Sequence, residues 1–321
     1  MKKFLAVLIV LVLTFSLAAC TSSKKEESQE GNAADDKILI GLSMHNQTAD
    51  WAVQFKDTFL EEATAKGAEV SWTDANSTAA TQVSNIEDLI AQKVDVLVVV
   101  PADYTALGQA LKEASDAGIK VVNADSKVVE ADQQYVSCFI TADCYAGGKT
   151  CGEYIAKLFP DGAVIGGLNY PQISVIADRF NGTLDEWKAL NRTDLTLIDK
   201  TCTDLNAIAT YTEDMLMANP EIAGFICLND NTALSCYAAC QQLGRSDCVV
   251  IGFDGSPAAK QSIANGGMTA TLVYSPVDLA KSSFDAAYTL ATGGTPDKEV
   301  QVSMWMINKE NIGEHDLNKW E

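Results

Sequence analysis

From Lys37 onward the chain repeats one unit, a short apolar run followed by a stretch whose apolar residues return every three or four positions. Residues 38–42 read as a buried strand, and Trp51, Phe55, Phe59 and Ala63 then mark the inner stripe of a helix. Residues 68–72 make a second strand, and Val83, Ile86, Leu89 and Ile90 a second stripe. Residues 94–100 are almost wholly apolar, as a strand covered on both faces must be. Tyr104, Leu107, Leu111 and Ala114 give a third stripe that stops at Gly118, and residues 119–122 the next strand. The pattern then restarts, with strands expected at 135–140, 163–168, 195–199, 224–228, 249–253 and 269–273. Helices fill the spaces, among them 144–159, 174–190 and a last one over 277–290 that ends at Gly293-Gly294. Such alternation builds parallel sheets flanked by helices. The expected fold is α/β: two doubly wound Rossmann-like lobes in tandem.

The residues before Lys37 belong to another class. Lys2 and Lys3 precede an apolar run over residues 4–15, too short for the roughly 20 residues of a spanning helix but typical of an export signal. Leu17-Ala18-Ala19-Cys20 closes it, and this tetrapeptide resembles a bacterial lipobox. The resemblance implies that residues 1–19 are removed and that Cys20 carries the lipid, holding the chain at a membrane surface. Residues 20–36 are rich in Ser, Lys, Glu, Gln and Asn, a composition that cannot bury enough surface to fold and so reads as a tether.

The formal charge is -20, and removing Lys2 and Lys3 takes it near -22. That surface repels polyphosphate, which excludes nucleic acid as a partner. Eight cysteines remain beyond Cys20, with no C-x-x-C pair, and the chain has two histidines, His45 and His315, so neither a metal site nor a cofactor is expected. Several of these cysteines fall inside expected helices and strands and read as buried thiols, with bridges left open.

In sheets of this kind ligands bind beyond the carboxyl ends of the strands. Those positions are polar here: Ser43-Met44-His45-Asn46-Gln47, Asn123-Ala124-Asp125-Ser126, Asn229-Asp230-Asn231, Asp254-Gly255-Ser256 and Tyr274-Ser275. Trp51 opens a helix, and Arg179 lies on the helix after residue 168. Asp, Asn and Arg grip paired hydroxyls with two hydrogen bonds each, and aromatic rings take the C–H faces of a sugar. Each residue also has a plainer reading: Asp125, Asp254 and Asn229 as helix caps, Arg179 paired with Asp178 or Asp185 on a solvated face, Trp51 as core.

Gly147-Gly148-Lys149 before Gly152-Glu153-Tyr154-Ile155, Arg179-Phe180-Asn181-Gly182, Asn229-Asp230 and Ile251-Gly252-Phe253-Asp254-Gly255 together resemble the type 1 periplasmic sugar-binding proteins, ribose-binding proteins in particular, from residue 37 to about 308. The resemblance implies an uptake receptor that closes on its sugar and docks on an ABC permease. It places ligand contacts at Ser43, Trp51, Asp125, Arg179, Asn229, Asp254 and Tyr274, to which His45, Asn46 and Ser126 are added from the same loops. Ribose-type members have arginine where Ser126 stands and aromatics where Asp50 and Leu205 stand, so a hexose, an inositol or a linear polyol is expected in place of ribose.

The expected architecture joins residues 37–142 with 275–302 as one lobe and 143–274 with 303–321 as the other. Three crossings, near 125–143, 274–276 and 300–303, would form the hinge, and closure around a shared ligand is the expected mechanism. The chain reads as a monomer and a binding protein. A receptor feeding chemotaxis or a sensor kinase is the alternative. A hydrolase lacks a nucleophile elbow, and a repressor would need a DNA-binding headpiece where the leader stands.

Overall fold

The computed structural model describes residues 37–321; the leader over 1–19, Cys20 and the tether to residue 36 lie outside the described residues. Two six-stranded sheets, each flanked by helices, form two lobes. The first sheet is built from β1 (Leu39–Met44), β2 (Glu69–Asp74), β3 (Val96–Val99), β4 (Lys120–Ala124) and β5 (Cys138–Ala142), with α1 (Asp50–Lys66), α2 (Ala79–Ala91) and α3 (Gly108–Asp116) between them. The second carries α4 (Cys144–Leu158), β6 (Ala163–Asn169), α5 (Ser174–Ala189), β7 (Leu195–Thr201), α6 (Ile208–Ala218), β8 (Ile222–Cys227), α7 (Asp230–Gln242), β9 (Val249–Asp254), α8 (Pro257–Ala264) and β10 (Ala270–Val273). The chain ends with α9 (Pro276–Ala291), β11 (Glu299–Val302) and β12 (Met306–Asn308).

Every residue of β3 and β10 is buried, which explains their uninterrupted apolar runs. The strand order in the first sheet is β11-β5-β4-β3-β1-β2, all parallel. In the second it is β12-β10-β9-β8-β6-β7, and here β12 runs antiparallel to β10. Two features therefore differ from the expected tandem parallel sheets. β11 occupies residues read as a crossing, and β12 makes its sheet mixed. Both are edge strands of three or four residues, so neither has a pattern long enough to register as a strand. The fifth strand also starts later than expected, because residues Glu130–Tyr135 form a 3₁₀ turn.

The chain passes between the sheets three times: from β5 into α4, from β10 into α9, and between β11 and β12. α9 packs on α1, β3, β4 and β5. α4 and α5 pack closely because glycines face each other across the contact. A Cβ at Gly148 would run into the Arg179 carbonyl oxygen, and one at Gly182 into that of Tyr145. Thr183 Oγ1 sits in the same seam, 2.9 Å from both the Gly148 and Arg179 carbonyl oxygens. This seam sets the height of Arg179.

All eight described cysteines are buried and unbridged. Burial pushes the thiols of Cys144 and Cys151 up to about 12. Met44 and Cys227 are fully buried, as core residues.

Candidate ligand-binding cleft

The carboxyl ends of both sheets open onto one cavity of about 310 Å³. Its position follows from topology. β1 lies between β2 and β3, and β6 between β7 and β8, so the strand order reverses at each and leaves a crevice beyond the strand ends. The first lobe supplies His45 and Asn46 from the loop after β1, Trp51 from the first turn of α1, and Asp125 from the end of β4. The second supplies Arg179 from α5, Asn229 ahead of α7, and Asp254, the last residue of β9. Tyr274 joins them from the crossing between β10 and α9.

Ser43 and Ser126 stand behind the wall and are not among the lining residues. Ser43 is fully buried and its hydroxyl accepts from Gln82 Nε2 at 3.3 Å, while Gln82 also satisfies the Val100 carbonyl and the Ala102 amide. Ser126, also buried, donates to Asp125 Oδ2 at 3.2 Å.

A continuous stack crosses the centre of the site. Trp51 lies nearly parallel to Phe55 at 5.5 Å and to Tyr274 at 5.6 Å. The Arg179 guanidinium sits 5.0 Å from the Tyr274 ring and 4.8 Å from the Phe253 ring, a cation between two aromatic faces. Trp51 Nε1 donates to the Tyr274 carbonyl oxygen at 2.9 Å, and the Tyr274 hydroxyl donates to Asp125 Oδ1 at 2.6 Å. Burial, reinforced by the Asp125 carboxylate, raises the Tyr274 hydroxyl well above its ordinary range, so it remains a donor. Trp51 is therefore 9% exposed with its indole N–H already used, and it leaves little ring surface for a ligand.

Asp125 and Asp254 both hold left-handed backbone, with φ of 66° and 114°. For a residue with a Cβ such conformations cost on the order of 1–3 kcal/mol each and gather at functional sites. Neither acts as a helix cap. Ser256 caps α8, accepting from the Ala259 amide at 3.2 Å, so Asp254 is free to face the cavity. Asn229 does cap α7 through Oδ1, which accepts from the Thr232 amide at 2.9 Å; its Nδ2 is left over.

Arg179 is 3% exposed, and its ion pair is with Asp254 and not with Asp178 or Asp185. Nη1 donates to the Leu228 carbonyl at 2.7 Å, and Nη2 lies 3.5 Å from Asp254 Oδ1. Its Nε is buried without a hydrogen-bond partner, and so is Nδ1 of His45. Burial lowers the His45 imidazole below its usual range, which keeps it neutral. Burial raises Asp254 well above the usual carboxylate range, although Arg179 pulls the other way.

Sequence reading passed over Ser77, after β2, and Thr203, after β7, both of which line the cavity. They follow edge strands, and the same strand-end rule that found the others would have reached them. Tyr170, Ile173, Val175, Ile176 and Leu205 complete the second lobe's side with a mostly apolar surface. No cluster of metal-binding side chains occurs among the described residues, and no described helix is long and apolar enough to cross a membrane.

Two α/β lobes crossed three times by the chain, with a cavity of polar and apolar side chains at the carboxyl ends of both sheets, define a binding protein of the type 1 periplasmic class. The chain belongs to the periplasmic binding protein domain family, whose sequence pattern matches residues 40–295. It is similar to the ribose import binding protein of Bacillus subtilis, 29% identical over 308 residues that cover 95% of this chain and 98% of that protein. It also resembles the D-xylose-binding periplasmic protein of Escherichia coli, at 26% identity over 86% of this chain and 88% of that one. Among solved structures it superposes on an ABC transporter solute-binding protein from Mycobacterium smegmatis with bound glycerol, at a TM-score of 0.81 and 28% identity. The match covers 87% of this chain and 96% of that one.

Proposed function

We propose that this chain is the solute-binding receptor of an ABC importer, and that it takes a monosaccharide or polyol in the cavity between its lobes. One observation carries the reading. His45 from the first lobe and Arg179 from the second line one cavity, and each carries a buried nitrogen, Nδ1 and Nε, without a hydrogen-bond partner. A buried polar atom left unpaired costs about 1–3 kcal/mol, which a ligand hydroxyl between the lobes would relieve while drawing them together. Asn46, Asn229 and Asp254 complete a set of donors and acceptors matched to several hydroxyls, and Asp125 reaches the same space. Relatives named for ribose and xylose support a sugar.

Ribose itself is disfavoured because Ser126 carries no charge and neither Asp50 nor Leu205 offers a ring. A hexose, an inositol or a linear polyol is the favoured class. The tethered leader supports export with lipidation at Cys20, after which the receptor would act as a monomer on the outer face of a membrane beside its permease. It catalyses no reaction in this reading.

A thermal-shift screen of pentoses, hexoses, inositols and polyols tests the ligand class, since a ligand at 100 times its Kd adds about 2.7 kcal/mol of stability. No shift with any of them would sink it. Cys20→Ala should release the protein from the membrane fraction of an expressing bacterium; retention would refute the anchor.

A further inference from the structure

Asp230 is the first residue of α7 and is 1% exposed, yet it does not line the cavity. It stands directly behind the turn that carries Asp254. Its Oδ2 accepts from the Ser256 amide at 2.7 Å, and its Oδ1 accepts from the Thr271 hydroxyl at 2.6 Å. The same Thr271 oxygen accepts from the Gly255 amide at 3.2 Å. One carboxylate and one hydroxyl thus hold both amides that follow Asp254.

Those amides lie where the backbone is most distorted, since Asp254 and Gly255 have φ of 114° and 76°. A residue with a Cβ stays in such a conformation only where its surroundings over-determine it. Room for the brace is built into β9 itself: a Cβ at Gly252 would collide with Asp230 Oδ1. Thr271 pairs with Gly252 in the β9–β10 ladder, which fixes the second arm beside the first.

We infer that Asp230 is a positioning residue for sugar binding, holding Asp254 in its left-handed conformation through Ser256, Thr271 and Gly255 so that its carboxyl faces the cavity. The inference rests on the proposed receptor function for its purpose and on the brace geometry alone for its mechanism. Asp230 acts only through Asp254. Removing the brace therefore weakens binding while Asp254 is present and does nothing more once Asp254 can no longer grip.

The experiment uses Asp230→Ala and Asp230→Asn, each alone and combined with Asp254→Ala, which leaves position 254 no group to grip a hydroxyl. Amide hydrogen exchange at Gly255 and Ser256, with Val250 as internal reference, reads the brace without any ligand. Asp230→Ala should speed exchange at those two amides at least about tenfold relative to Val250. Asp230→Asn should restore most of the protection, because its carbonyl oxygen still accepts from Ser256 and its amide reaches Thr271. Calorimetric titration with D-ribose, D-xylose, D-allose and myo-inositol reads the consequence. For a sugar that binds the unmodified protein, Asp230→Ala should weaken affinity about 10- to 100-fold. In the Asp254→Ala background the added loss should be under about twofold.

Unchanged exchange at Gly255 and Ser256 overturns the inference, and so does an equal affinity loss in both backgrounds. If the unmodified protein binds none of the four probes, the sugar reading suffers, and the exchange measurement still decides whether Asp230 holds the turn.

Discussion

The hydroxyl of Tyr274 donates to Asp125 Oδ1 across 2.6 Å, so a residue at one of the three crossings is fixed to a strand end of the first sheet. With Ser126 on the other oxygen, both carboxylate oxygens of Asp125 already have partners inside the protein. Asp125 reaches a ligand only with its remaining lone pairs. The centre of the cleft is thus organised before any ligand arrives, and Arg179, His45, Asn46, Asn229 and Asp254 are the side chains proposed to recognise it.

Tyr274→Phe keeps the stack between Trp51 and Arg179 but removes the donor to Asp125. The buried carboxylate then loses its shortest hydrogen bond, and unfolding in denaturant should show a loss of about 1–3 kcal/mol. Unchanged stability would mean that the hydroxyl is not held as described.

Gly148→Ala changes no residue of the cavity, yet it should reduce sugar affinity. The added methyl meets the Arg179 carbonyl, so α4 must move off α5 and Arg179 shifts with it. Overpacking of this kind costs about 1–3 kcal/mol. Exposed Thr150→Ala on the same helix serves as the control and should stay within about 0.5 kcal/mol of the parent. Equal melting temperatures for the two variants would contradict the packing account.

Burial raises the Asp230 carboxyl to about 6 and Asp254 well above the usual range. A carboxyl raised on folding favours the protonated native state. Its contribution is complete below the unfolded value near 4 and is lost as pH rises through about 6. Asp230 alone gives a fall on the order of 2–3 kcal/mol between pH 4 and 7. Asp230→Asn should flatten that part of the stability profile in urea titrations at stepped pH, and an unaltered slope would contradict it.

His45 slopes the other way. Its depressed imidazole favours the neutral form, so its contribution is present above pH 6.5 and is lost on acidification through the lowered folded value. His45→Leu removes both this acid sensitivity and an unpaired buried nitrogen. The ligand-free variant should melt no lower than the parent at pH 7, while its sugar affinity drops about tenfold. Retained affinity would remove His45 from the site.

Much of this was legible in one dimension. Apolar period gave most strands and helices because each buried element writes its own pattern over five to fifteen residues. It failed at β11 and β12, whose three or four residues pair at sheet edges and are too few to carry a period of their own. Strand ends located His45, Asn46, Asp125, Asn229, Asp254 and Tyr274, because a doubly wound sheet puts its crevice there whatever the sequence.

The sequence by itself determined the two lobes, the acidic surface and the positions at which polar residues meet the cavity, all of which follow from local pattern. Only the tertiary structure decided which of those polar atoms are still free. Trp51 N–H is used by a carbonyl 223 positions away, and Asp125 by a hydroxyl 149 positions away. Hydrogen-bond capacity is consumed in space, between residues that chain order keeps far apart, and so what a site has left to offer appears only once the chain is folded.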